Sequence, residues 1–102
     1  MAKRMRRSKS LSGISEEHIK KADKTLRTAR QRADEALSDI AGGRCSAAFV
    51  KMMNAAANYI AGAEHLKEGE SASHYTSARS MKPEVEGAVD TAVKAFANRC
   101  VR

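Results

Sequence analysis

Aromatic residues are nearly absent from this chain of 102 residues. It has no Trp, two Phe and two Tyr, whereas alanine supplies 19 residues. Large apolar side chains dominate the free energy of burial, at about 1.5–3 kcal/mol each. An alanine-rich core therefore predicts a domain of marginal stability, or one that a partner stabilises. None of the four aromatic residues lies among the basic residues of the N-terminal third, so base stacking is not expected in any binding of nucleic acid there.

Long apolar runs are also missing. No stretch approaches the roughly 20 apolar residues of a membrane span, and none follows the opening basic residues as a secretory signal requires. We therefore expect a protein that is neither secreted nor in a membrane, in the cytoplasm or within a virion or nucleoprotein particle. The Arg-rich, Ser-containing start also has the composition of a mitochondrial presequence, which stays an alternative.

Helical spacing of apolar residues, and no alternating pattern, predicts an all-α protein. We predict an antiparallel up-down-up three-helix bundle with a basic, irregular N-terminal arm. The first helix should begin at the N-cap Ser15, carry an apolar seam from Ile19 to Ile40 and stop at Gly42-Gly43. Pro83 should open the third helix, because proline suits the first helical position. The predicted segments are the arm 1–13, the bundle 14–102, helices at about 15–41, 45–68 and 83–100, and a loop 69–82.

The second helix is expected to be the most buried, because apolar and small residues occur on both of its sides. Its predicted buried face comprises Phe49, Met52, Met53, Ala56, Tyr59, Ile60, Ala63 and Leu66.

Positive charge is concentrated at one end of the chain. The net charge is +7 overall, but residues 1–32 carry +8 and residues 33–102 carry −1. Such segregation indicates an anionic partner for the N-terminal third, since each Lys or Arg can pair with a phosphate and release a counterion. A solvated helix face with a solubilising tail, or a nuclear-import patch, would explain the same charges. The candidate binding residues are Lys3, Arg4, Arg6, Arg7, Lys9, Lys20, Lys24 and Arg27.

Catalytic and metal-binding patterns are not apparent. The three histidines, His18, His65 and His74, stand in no spacing that defines a nucleophile–base pair or a zinc site. We interpret them as ordinary surface histidines. The sequence thus predicts no enzyme, no cofactor, no metal and no small-molecule substrate.

Two cysteines remain, Cys45 and Cys100. In an up-down-up bundle the start of the second helix and the end of the third lie at the same pole, so an intramolecular disulfide fits the geometry. Two reduced thiols of a cytosolic protein are the interpretation that we favour from sequence. A disulfide between subunits is the third alternative.

The sequence supports two candidate functions. The first is a non-enzymatic structural or accessory protein of a larger assembly, a virion or nucleoprotein particle. Its bundle would dock to other subunits, of its own kind or another, and its arm would contact a nucleic-acid backbone or an acidic neighbouring surface. The alternative is a small adaptor or inhibitor that binds one target protein through the 69–82 loop, with His74, Tyr75 and Arg79 as contacts, and helix surfaces.

Overall fold

Three helices pack together in the computed structural model. It describes the backbone of residues 2–70 and 75–101 and the side chains of residues 15–70 and 75–101. The helices are α1 (Ala2–Ala41), α2 (Cys45–Glu68) and α3 (Tyr75–Arg99). These two backbone ranges contain no strand, so the predicted all-α, three-helix bundle is confirmed. Within the same ranges, no helix combines the length and the apolar character needed to span a bilayer.

Helix α1 begins at Ala2, not at the predicted N-cap Ser15. The backbone predicted to be irregular is therefore helical in the structure. Its composition permits this, because the segment lacks proline, is rich in Lys and Arg, which favour helices, and includes one glycine costing about 1 kcal/mol relative to alanine. Ser15 lies inside the helix and is 8% exposed. It does not cap an N-terminus.

The end of α1 is where the sequence predicts it. Gly43 adopts a φ of +76°, a left-handed conformation that glycine reaches without the steric cost of a Cβ. The amide of Gly42 donates to the carbonyl of Ser38 at 3.0 Å, and the amide of Arg44 donates to the carbonyl of Asp39 at 2.7 Å. These bonds satisfy carbonyl groups of the last helical turn before α2 starts.

Helix α1, not α2, is the most buried helix among the described residues. Seven apolar residues of its seam are at most 6% exposed: Ile19, Ala22, Leu26, Ala29, Ala33, Ala36 and Ile40. The core divides into two clusters along this seam. The first joins the first half of the seam to Leu66, Ala78 and Val85, and the second joins Ala33 and Ala36 to Met52, Ala55 and Ala92.

The buried face of α2 differs from the predicted one by a rotation of about one residue. Its buried residues are Ala48, Met52, Ala55, Gly62 and Leu66. Phe49, Met53 and Ile60, all predicted inside, are about half or more exposed, at 48%, 53% and 62%. Small residues cause the difference, because a Cβ on Gly62 would lie 2.7 Å from the Leu26 side chain. Close approach of α2 to α1 requires the small face to point inwards.

Helix α3 begins at Tyr75 and contains Pro83 in its interior, so the prediction that Pro83 opens it is wrong. Proline cannot donate to the carbonyl four residues earlier, which weakens the helix locally. Packing on both sides of Pro83 offsets this, because Ala78 and Val85 are 5% and 2% exposed in the same core cluster. The predicted 69–82 loop is thereby reduced to the connection before Tyr75, of which residues 71–74 lie outside the described part.

A disulfide joins Cys45, the first residue of α2, to Cys100, which follows α3. The two Cα atoms are 5.6 Å apart, across a sequence separation of 55 residues. This is the intramolecular alternative of the sequence analysis, and it differs from the reduced thiols favoured there. Its placement fixes the start of α2 beside the end of α3.

Candidate anion-binding surface

The described cations of the predicted site lie along the solvent side of α1. Lys20, Lys24 and Arg27 are all exposed, at the three- and four-residue spacing that puts side chains on one helix face. The buried seam that contains Ile19 and Leu26 faces the other two helices. The remaining predicted cations precede them on the helical backbone of α1, with side chains outside the described range: Lys3, Arg4, Arg6, Arg7 and Lys9.

Ion pairs neutralise the C-terminal half of this row. The Nε of Arg27 donates to Asp23 at 3.0 Å, and Arg30 lies 3.7 Å from Asp34. The Nη1 of Arg32 is 2.7 Å from Glu35 Oε1, and this bond holds the pKa of Glu35 below its ordinary value. Arg27 is therefore a weaker candidate than the sequence suggests, although an exposed pair of this kind contributes only about 0.3–0.5 kcal/mol.

The N-terminal half of the row is not neutralised in this way. Lys20, Lys21 and Lys24 form no ion pair with any residue whose side chain is described. Lys21 was not among the selected binding residues, yet it is exposed and extends the cationic face around the helix. Charge density alone could have identified it. Three neighbouring ammonium groups with no ion-pair partner among the described side chains form a surface that can bind an anion.

Two cations beyond α1 serve the fold instead. The side chain of Asp39, 9% exposed, lies 2.7 Å from the Nζ of Lys51 and accepts a bond from Arg44 Nε at 3.0 Å. The bonds from Lys51 and then Arg44 hold the pKa of Asp39 below its ordinary value. These charges stabilise the junction of α1 and α2, so they do not add to the anion-binding surface.

Two histidines meet at the α1–α2 contact. The Nδ1 atoms of His18 and His65 are 3.0 Å apart, and both rings are partly buried. One Nδ1 donates its hydrogen and the other accepts it, so the contact requires different tautomers of the two rings. Their separation by 47 residues explains why spacing could not reveal the pair. No group of three His, Cys, Asp or Glu side chains in the described ranges could hold a metal ion.

The predicted partner loop has a different form. Tyr75 and Arg79 lie in the first turns of α3, while His74 is outside the described residues. Both line a cleft of about 430 Å³ between the end of α2 and the start of α3, together with Lys67 and Lys82. Residues 75–82 of the loop on which the adaptor hypothesis depends are therefore helical.

A larger cleft of about 620 Å³ lies between α1 and α3. Arg27, Arg30 and Gln31 form one part of its wall. The carboxylates of Asp34, Glu35 and Glu84 also line it. Both arginines are the ion-paired ones, so opposite charges compensate within the cleft. It therefore lacks the unpaired ammonium groups of Lys20, Lys21 and Lys24.

No protein-family model, curated protein or solved structure matches this chain. The function proposed below therefore depends on the residues of this chain alone.

Proposed function

We propose that this chain is a non-enzymatic accessory protein of a nucleoprotein assembly, such as a virion or a nucleoprotein particle, and that the N-terminal half of α1 binds the phosphate backbone of nucleic acid. The observation that supports the proposal is a difference in ion pairing between the two halves of the cationic face of α1. Its later arginines are paired with carboxylates, whereas the exposed Lys20, Lys21 and Lys24 have no ion-pair partner among the described side chains.

The length of the charged segment fits a duplex. From Lys3 to Lys24 a continuous helix rises about 32 Å, at 1.5 Å per residue. One turn of duplex DNA measures roughly 34–36 Å. Aromatic side chains are absent from residues 1–32, so binding would depend on charge and shape and would not select a base sequence.

We also propose the antiparallel up-down-up order for the bundle. In its support, the first core cluster combines the first half of the α1 seam with the end of α2 and the beginning of α3. The disulfide between Cys45 and Cys100 supports the same order at the opposite pole. Nuclear Overhauser contacts between the rings of His18 and His65 would test it, since a parallel arrangement of α1 and α2 would separate these rings.

The binding experiment is a titration of a labelled DNA duplex, followed by fluorescence anisotropy at several salt concentrations. The variant is Lys20→Glu with Lys24→Glu, and the matched control is Arg79→Glu with Arg99→Glu, which changes the net charge equally at exposed positions on α3. We expect the α1 variant to bind at least about 10-fold more weakly and to reduce the salt slope by about 2, or about 1 for each lost phosphate contact.

Two results would contradict the proposal. The first is an equal loss in the α3 control, because net charge and not the α1 surface would then determine binding. The second is an affinity that does not depend on salt. If poly-glutamate competes as effectively as DNA, the anionic partner is an acidic protein surface instead.

A further inference from the structure

The exposed side of α2 carries no charge between Ser46 and Ile60. Its exposed residues there are Ser46, Ala47, Phe49, Val50, Met53, Asn54, Ala57 and Ile60. Val93 of α3 is 42% exposed and continues this apolar region. It precedes Phe96 by one turn, and the ring centroids of Phe96 and Phe49 are 5.7 Å apart. We name Phe49, Val50, Met53, Ile60 and Val93 the α2–α3 surface. A continuous exposed apolar region of this kind is typical of an interaction site.

We propose that the α2–α3 surface is the interface through which two copies of this chain form a symmetric dimer. A two-fold axis places residue i of one copy against residue j of the other and j against i, so like charges close to the axis would face each other. The α2–α3 surface has none, whereas the exposed Lys20, Lys21 and Lys24 lie on α1. A second copy is therefore an occupant that meets no electrostatic penalty here.

Antiparallel packing of α2 against α2 of the second copy places side chains of complementary size beside each other. With the axis near Ala55, Val50 lies beside Ile60 of the second copy, and Met53 lies beside Ala57 of the second copy. A long side chain thus meets a short one at the centre, which allows the helices to approach closely. A shift of the axis by two residues, about half a turn, would place Met53 against Met53 and lose this complementarity.

The same arrangement separates the basic segments. The end of α2 lies beside the N-terminal half of α1, as the contact of His65 with His18 shows. An antiparallel pair with its axis near Ala55 therefore puts Lys20, Lys21 and Lys24 of the two copies on opposite sides of the axis. Leu26, which follows these lysines, lies beside Gly62, seven residues or about 10 Å from the axis, so the two groups of lysines are about 20 Å or more apart. That distance exceeds the Debye length of about 10 Å at 0.1 M salt. Repulsion between the two basic segments is consequently small.

The charge-free area is modest. Between Ser46 and Ile60 the exposed side of α2 rises about 21 Å, and with the adjoining width of α3 it presents roughly 400 Å² for each copy. Specific interfaces of standard size bury about 800 Å² per partner, and smaller ones belong to weak, transient associations. The dimer would also cover apolar side chains of a domain whose own core contains only Leu26 and Val85 as large, fully buried side chains among the described residues.

The test uses sedimentation equilibrium of the full chain without nucleic acid, so its result is independent of the function proposed above. Two variants introduce opposite charges, Val50→Glu and Ile60→Lys, at positions that are 66% and 62% exposed. Thr91→Glu is the control, because Thr91 is exposed and follows Glu84 by two turns on the α1 side of α3. Circular dichroism checks that each variant is folded.

We expect the wild type and Thr91→Glu to be dimeric at about 100 µM. Each single variant should raise the Kd at least about 100-fold, because the dimer would bury two unpaired charges. An equimolar mixture of Val50→Glu and Ile60→Lys should recover a dimer, since the carboxylate introduced in one copy would then pair with the ammonium group introduced in the other.

A wild type that is monomeric at about 500 µM overturns the proposal. Dimers of undiminished affinity in both single variants overturn it as well. A mixture that remains monomeric, while the wild type dimerises, overturns the antiparallel arrangement. Met53→Glu, at another exposed position of the surface, replaces either variant if circular dichroism finds it unfolded.

Discussion

Removing the disulfide between Cys45 and Cys100 should destabilise the domain strongly. The cross-link closes a loop with a sequence separation of 55 residues. Chain-entropy theory gives about 4 kcal/mol at 25 °C for a loop of this length, by restricting the unfolded chain. This value is an upper bound, because an unfolded chain with residual structure loses less entropy on cross-linking.

The effect is large relative to the expected stability. A chain of this size has a free energy of unfolding of roughly 5–15 kcal/mol, and an alanine-rich core suggests the lower end. The disulfide also holds α3 to α2, where the other described contacts include the rings of Phe49 and Phe96 and a hydrogen bond of 3.0 Å from Tyr59 to Glu86. We therefore expect the melting temperature to fall by about 15–30 °C on reduction.

The assay is urea denaturation followed by far-ultraviolet circular dichroism, with and without a reducing agent. The variant Cys45→Ser with Cys100→Ser should match the reduced wild type, and the reducing agent should not affect it. Both cysteines are only partly buried, so the substitutions themselves should cost little packing energy. Two titratable thiols in the protein purified without a reducing agent would refute the reasoning, as would equal urea midpoints of the wild type in both conditions.

Three further substitutions test the packing and the charges. Gly62→Ala should destabilise the fold by about 1–3 kcal/mol, because its Cβ would meet Leu26 at 2.7 Å. Gly87→Ala, with open space around the Cβ, should instead stabilise it by about 0.5–1 kcal/mol, and urea denaturation measures both. The pKa of Asp39 is lowered in the folded protein, so its ionised carboxylate stabilises the fold at neutral pH. This contribution to the free energy of unfolding is lost as the pH falls below about 4 and through the folded-state pKa. Asp39→Asn should therefore flatten the stability profile between about pH 2 and 5; an unchanged slope would contradict the role of the Lys51 pair.

Much of the bundle could be predicted from local patterns. The seam of α1, its end at Gly42-Gly43 and the bounds of α2 at 45–68 depend on spacing and on residues that stop helices, which act within one or two turns. The proximity of Cys45 and Cys100 followed from the number and lengths of the helices alone.

The candidate site was only partly predictable. Charge segregation is a property of the sequence, and it indicated Lys20 and Lys24. The pairing of Arg27 with Asp23 was not predicted, although their four-residue spacing is a local signal that the sequence contains. The meeting of His18 and His65 depends on the register of two helices, for which no local signal exists.

The sequence by itself determined that this protein is helical, where α1 ends, and where its positive charge is concentrated. Only the tertiary structure decided which face of α2 is buried and that α3 begins before Pro83. The physical reason is that both depend on contacts between distant residues. The absence of a side chain at Gly62 lets α2 approach Leu26, and the burial of Ala78 and Val85 offsets the hydrogen bond that Pro83 cannot make.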